Sequence, residues 1–426
     1  RSLGMHRVYN SAFMHMIRDE NNAGYRKVIG DTVEFDPAIL GRYVNFLTNP
    51  DEETAIEQFD TGDKYFGAAT LLATMPGLPM IGHGQIEGFT EKYGMEFQRA
   101  RLDEQPNAGL IEHFEAQIVP LLRERRRFAS SADFRLYDVV ADGGELLEDV
   151  FAYSNGRGGD RSLIVYHNKF GAADGWIRDS IPFAVKAADG SKTMERDTLA
   201  AALDLRGGAG SWLRLRDGRS GMEALRSVRE IRELGLHVRL DAYGRLVILD
   251  IAEVVSTTDA PWEALAAEIG DGWIASLDDA LAAVRLRPVH DAVASLLAPG
   301  ADVAAGWKDV AAAVGIPDAP APKLRAPEPG ASASTDRAVR AAVLLRPLGR
   351  ARFDELRLAD VLRRLGLDDA EIARTRAAIE VPEPDVAADA TGADGVVSTR
   401  PRRAPATATR AARGPKGPRP PRPRAT

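Results

Sequence analysis

Cysteine is absent from all 426 residues, which excludes disulfides, zinc–thiolate sites and cysteine nucleophiles. That composition fits a reducing compartment, and a cytoplasmic location is the expectation it carries. Long apolar runs are also missing: no stretch reaches the roughly 20 residues that cross a bilayer. The nearest approach, Phe66 to Ile81, is broken by Pro76, Gly77 and Pro79 and predicts a helix, a turn and a buried strand. No membrane partner is expected. No signal peptide opens the chain, and Arg1 in place of methionine reads as a start inside a longer protein.

Acidic residues vanish from the last stretch. Val396 to Thr426 carries nine Lys or Arg and no Asp or Glu, so the remainder holds −16 against a net charge of −7. A mildly acidic body with a basic tail does not describe a nucleic-acid enzyme, and no nucleic-acid partner is expected. The tail from about Val381 is Pro, Ala and Arg with little apolar content, which predicts a disordered, solubilising extension.

What is present is a globular composition, 45% hydrophobic, ample for more than one core. Residues 1–130 alternate helical patterns with short apolar runs: Tyr43 to Leu47 and Leu78 to Ile81 as strands, Asp63 to Met75 as an apolar helix between them. Leu110 to Phe128 is again helical, ending in Arg123, Arg125, Arg126 and Arg127, which suit a solvated helix C-terminus. Short buried strands separated by helices predict a parallel sheet.

From 131 to 256 the period changes to two. Phe134 to Val140, Leu147 to Ser154, Arg161 to Asn168, Ile181 to Val185, Trp212 to Leu215, Leu236 to Leu240 and Leu246 to Ile251 read as strands. Gly143-Gly144, Asn155-Gly156 and Tyr243-Gly244 supply the turns, and Met222 to Leu234 reads as one inserted amphipathic helix. Residues 257–380 are alanine-rich and helical, with a Pro/Ala/Ser linker near Pro317 to Thr335.

Two motifs carry the chemistry. Arg42-Tyr43-Val44-Asn45-Phe46-Leu47-Thr48-Asn49-Pro50-Asp51-Glu52 sets a carboxylate just past a buried strand, and Pro76-Gly77-Leu78-Pro79-Met80-Ile81-Gly82-His83-Gly84-Gln85-Ile86-Glu87-Gly88 does so after the next. In a (β/α)8 barrel such positions converge on one mouth. Asp51, Gln85 and Glu87 are then expected to face a shared pocket. Negative charge there suits glycosidic cleavage through an oxocarbenium-like transition state.

The first motif resembles the fourth conserved region of the alpha-amylase family of glycoside hydrolases (family 13), and the second its eighth-strand motif. The resemblance covers residues 1 to about 190 and implies the C-terminal portion of a TIM (β/α)8 barrel, then an antiparallel β-rich domain. Behind these come the alanine-rich helical region and the disordered tail. It implies a glycosidase or transglycosidase acting on α-glucosidic bonds, with an α-glucan or maltooligosaccharide as substrate, a retaining mechanism and no cofactor. Hydrolases and glucanotransferases share these motifs. Carried over by position, Asp51 matches the third catalytic carboxylate and Asn49 the motif's asparagine, with Gln85, Glu87 and His83 as substrate-binding candidates. Pro50 stands where the family has a histidine that hydrogen-bonds the sugar. The stretch Arg1 to Asn10 looks like the approach to the sixth strand. Nothing before Arg42 matches the nucleophilic Asp or the acid/base Glu, so the chain alone is expected to be inactive. The alternative is a non-catalytic amylase-like relative that binds carbohydrate or protein.

Structural roles compete for the same residues. Asp51 could cap the helix after its strand, Glu87 could serve a salt bridge, and His83 could be a hydrogen-bonded structural histidine. His6 and His15 lie nine residues apart without the spacing of metal ligands. Trp176 and Trp212 fit a β-domain core or a sugar-stacking face. Asn155-Gly-Arg-Gly-Gly159 lies between strands and opens no helix, so it is no phosphate loop.

Overall fold

Three short strands, β1 (Val8–Tyr9), β2 (Tyr43–Phe46) and β3 (Leu78–Met80), lie side by side in chain order. Both pairings are parallel, with Tyr9 opposite Val44 and Phe46 opposite Met80. The computed structural model describes residues 6–92, 99–187, 189–324 and 333–379. The expected disordered tail and the centre of the 317–335 linker lie outside the described residues. Helices Ser11–Arg18 and Asn22–Phe35 join β1 to β2, and Ala55–Phe59 and Asp63–Thr74 join β2 to β3. Ten consecutive residues of the last helix, Tyr65 to Thr74, are buried, which accounts for its apolar character all round.

A second sheet follows. Its strands are β4 (Arg135–Val140), β5 (Val150–Asn155), β6 (Ser162–His167), β7 (Ala173–Ser180), β10 (Ser211–Asp217), β11 (Glu223–Ser227), β12 (Leu236–Leu240) and β13 (Arg245–Val255), while β8 (Phe183–Lys186) and β9 (Lys192–Glu195) form a separate hairpin. The order is β11-β10-β13-β6-β5-β4-β7-β12, antiparallel throughout. Ala224 on one edge and Val238 on the other enter the same core, so the sheet curls over its inner face.

Alternation divides the two faces. Tyr137, Val150, Ala152, Leu163 and Val165 point into that inner core, whereas Leu136, Phe151, Tyr153, Ile164 and Tyr166 pack on the helices around β1–β3. The outer face of β4–β6 and the helical layer of the parallel unit thus share one core.

Several expectations are corrected. Met222 to Leu234 is not one helix: Glu223–Ser227 pairs with β10 as a strand, and only Val228–Glu233 is helical. Ser227 caps that helix, its hydroxyl accepting from Glu230 N at 3.3 Å. Strands β7 and β9 carry no clear apolar alternation and escape a periodicity reading. Tyr243-Gly244 is a turn as expected, closed by Gly244 N donating to Asp241 O at 2.9 Å, but it joins two strands, β12 and β13, that are not neighbours in the sheet.

Leu110 to Phe128 is three short helices, Ala108–Gln117, Val119–Arg123 and Arg125–Ala129, with Pro120 at the second one's start. Its arginines are not all solvated. Arg125 donates to Ala73 O at 2.9 Å and Met75 O at 2.8 Å, and also to Gly77 O. It thereby satisfies carbonyls that the end of helix Asp63–Thr74 leaves open. Burial pushes its guanidinium down to about 10. Arg127 donates to Arg161 O at 2.8 Å and Leu249 O at 3.1 Å.

The helices beyond β13 form their own core. Val293 and Leu296 of Leu277–Leu297 and Trp307 of Val303–Ala313 pack with Leu344, Val361 and Ile372, across the linker. No helix of the described residues is long and apolar enough to cross a membrane.

Candidate functional site

The C-terminal ends of β2 and β3 meet closely. A Cβ on Gly82 would lie 2.3 Å from Thr48 Cγ2, so only glycine lets the two strand ends touch. Beneath them runs a buried side-chain ladder: Asn10 Nδ2 donates to Asn45 Oδ1 at 2.9 Å and Asn45 Nδ2 to Pro76 O at 3.1 Å. Asn10 also accepts from Phe13 N at 3.2 Å, starting helix Ser11–Arg18. One pair of amides therefore fixes β1, β2 and the approach to β3 in register.

Past β2 the chain turns on Asn49, whose Oδ1 accepts from Asp51 N at 2.8 Å and Glu52 N at 3.1 Å. Thr48 Oγ1 donates to Glu53 O at 2.7 Å, and Gln58 Nε2 bridges Leu47 O and Glu53 O at 3.0 and 2.8 Å. With its ends and carbonyls tied, the turn presents Asp51 to solvent. Asp51 does not cap the following helix: the residue at that position is Thr54. Its carboxylate makes no hydrogen bond or ion pair among the described residues, while its carbonyl accepts from Lys92 Nζ at 3.1 Å.

A small cavity of about 50 Å3 lies between the loops, lined by Asn49, Glu52, Thr54, His83 and Lys92 among others. That holds a few waters and falls well short of the roughly 300–1,000 Å3 of ligand pockets. Of the candidates, Asn49 and His83 line it, and Asp51 sits on the adjoining turn. Gln85 and Glu87 do not reach it. Gln85 is 1% exposed, its Oε1 accepting from Gly82 N at 3.2 Å and its carbonyl from Tyr65 Oη at 2.7 Å. Its Nε2 is buried without a hydrogen-bond partner among the described residues, as is Thr54 Oγ1. Glu87 makes no ion pair among the described residues. Burial raises the Tyr65 phenol, and the Glu87 charge adds to that rise.

Sequence reasoning did not name Glu52, Thr54, Glu91, Lys92 or His15 as site candidates. Glu52 Oε2 lies 3.3 Å from His15 Nε2, on the helix after β1. Lys92 Nζ lies 3.8 Å from Glu53 Oε1. The loop after β3 is tied by two carboxylates. Glu91 accepts from Arg101 N and Leu102 N at 2.7 and 2.9 Å. Glu104 accepts from Thr90 N at 2.7 Å, Thr90 Oγ1 at 2.6 Å and Glu91 N at 2.9 Å. Burial works against the Glu104 anion, but those hydrogen bonds outweigh it and hold the carboxyl below its ordinary range. Glu52 supplies an acceptor, Lys92 a donor and the two histidines either role, a set that can bind hydroxyl groups. Among the described residues no cluster of three or more His, Asp or Glu could hold a metal ion.

No protein-family model matches the chain, and no curated protein does. Solved structures match it over part of its length, and alpha-amylase family glycoside hydrolases are among them. Ttha1563 from Thermus thermophilus is 16% identical, with a TM-score of 0.34, over 53% of this chain and 39% of that one. The three-domain cyclomaltodextrin glucanotransferase CldA is 15% identical, with a TM-score of 0.37, over 58% and 43%. The maltotriose-bound pullulanase from Anoxybacillus sp. LM18-11 is 14% identical, with a TM-score of 0.36, over 57% and 34%. The chain thus spans well under two thirds of these proteins, and likeness at this level leaves the chemistry to the residues themselves.

Proposed function

We propose that β1–β3 with their helices are closing strands of a (β/α)8 barrel of the alpha-amylase type, and that they serve an enzyme acting on α-glucosidic bonds to which this chain supplies one carboxylate, Asp51. The observation that carries this reading is the contact of Thr48 with Gly82 at the ends of adjacent parallel strands, which sets the Asn49–Asp51 turn beside the His83 loop. Asp51, exposed and without an ion pair among the described residues, is suited to accept sugar hydroxyls and to support a developing positive charge. Cleavage with retention needs two further carboxylates about 5–5.5 Å apart, and no motif of this chain matches them. The chain by itself is therefore expected not to turn over glucans. Exposed Pro50 on the cavity rim, where the resemblance calls for a histidine, favours a non-catalytic carbohydrate-binding role as the second reading.

Titration with maltotriose, followed by amide NMR shifts, tests the shared part of both readings. Perturbations confined to residues 48–54 and 82–92, and weakened by Asp51→Asn, are expected; shifts elsewhere only would defeat them. Incubation with starch, maltodextrin and glycogen should give no turnover, and clear turnover would overturn the inactivity.

A further inference from the structure

The helical region beyond the second sheet holds a cavity of about 550 Å3, inside the size range of small-molecule sites. Its walls are aliphatic: Leu297 from the end of one helix, and Leu362, Leu365 and Leu367 from another helix and its exit. Leu362 and Leu367 belong to the region's core, so the cavity adjoins that core.

Helix Ala333–Leu345 supplies the remaining side with Arg337, Arg340 and Ala341, spaced three and four residues apart on one face. Arg337 lies at the lip, its Nη1 being the nearest atom, 3.9 Å away, to a Cβ placed on Gly366. Arg340 Nε is buried and has no hydrogen-bond partner among the described residues. Neither arginine forms an ion pair among the described residues, although most of the described arginines do so or donate to carbonyls. A buried, unpaired guanidinium N–H beside an apolar gap is costly unless an anion completes it.

From these facts we infer that the cavity binds an aliphatic monocarboxylate, its chain against Leu297, Leu362, Leu365 and Leu367 and its carboxylate on Arg337 and Arg340. The guanidinium fork matches a carboxylate geometrically, and the leucines leave a chain nothing polar to displace. This site lies apart from the β2–β3 mouth and stands whether or not the glucan reading does.

Calorimetric titration of the full chain with decanoate, below its micelle concentration, tests the inference, with decanol and acetate as separate arms. One decanoate per chain is expected, with decanol and acetate each weaker by roughly tenfold or more. Arg340→Gln and Arg337→Gln should each weaken decanoate by about tenfold. Ala341→Trp, which fills the gap, should abolish decanoate binding. Arg337 is exposed, so its variant keeps the test valid if Arg340→Gln fails to fold. Decanol binding as tightly as decanoate, or binding untouched by Arg337→Gln and Ala341→Trp, would overturn the site.

Discussion

Gly67 sits in the middle of helix Asp63–Thr74, where glycine costs about 1 kcal/mol against alanine. Its reason lies across the interface. A Cβ there would come within 2.0 Å of Tyr166 Cε2 and 2.3 Å of Cζ, and Tyr166 is fully buried. The ring cannot retreat, because its hydroxyl donates to Asn168 Oδ1 at 2.9 Å. Asn168 in turn donates to Ile17 O at 2.9 Å and Asn22 Oδ1 at 2.7 Å. Gly67→Ala should therefore destabilise the protein by about 1–3 kcal/mol despite the better helix propensity. Urea unfolding measures this, and a stabilised variant would show that the helix can slide off the sheet.

At the scale of the element, the helix after β11 depends on its cap. Ser227 ends a strand and starts a helix, and Glu230 follows it at capping-box spacing. Ser227→Ala should cost about 1 kcal/mol, read as a lower urea midpoint with an unchanged slope. The same element shows what the sequence could disclose. Glu223, Ala224, Leu225 and Arg226 are good helix formers, so a window over Met222 to Leu234 reads as helix. Pairing with β10 overrides that preference, and only the Ser227–Glu230 signal marks the boundary.

Strands β2, β3 and β12 were legible because apolar runs there are bounded by Asn, Asp, Pro or Gly. In β7 the inner positions are Ala173, Gly175 and Ile177, too small a contrast to read, and β9 is exposed at all 4 positions. The site was legible in the same uneven way. Asn49, Asp51 and His83 follow their strands directly, so motif spacing reaches them. His15 and Lys92 arrive from other segments of the chain, and no local pattern foretells their meeting with Glu52 and Glu53. Gln85 has the right sequence position, but the chain folds back and buries it beneath Gly82.

At the scale of the whole molecule, the parallel unit and the curled sheet are joined by polar contacts around their shared core, and one of these titrates. Glu20 Oε1 accepts from Lys64 Nζ at 2.7 Å and from Tyr243 Oη at 2.8 Å. Glu20 and Lys64 belong to the first unit, and Tyr243 to the crossover between β12 and β13. Burial works against the Glu20 anion, yet the hydrogen bonds from Lys64 and Tyr243 hold its carboxyl below the ordinary 4.5. Burial pushes the Tyr243 phenol up to about 12, and the Glu20 hydrogen bond and charge add to the rise.

The depressed carboxyl contributes stability that is fully present above pH 4.5 and is lost as pH falls through its lower folded value. The raised phenol contributes stability that is present below pH 10 and is lost as pH rises through about 12. Glu20→Gln removes the charge behind both effects. The stability difference between the parent chain and Glu20→Gln should then be level from about pH 5 to 9, on the order of 1 kcal/mol, and shrink on either side. Urea unfolding of both proteins across that range checks the profile. A difference that stays constant below about pH 4 would mean that the charge of Glu20 is not what stabilises this contact.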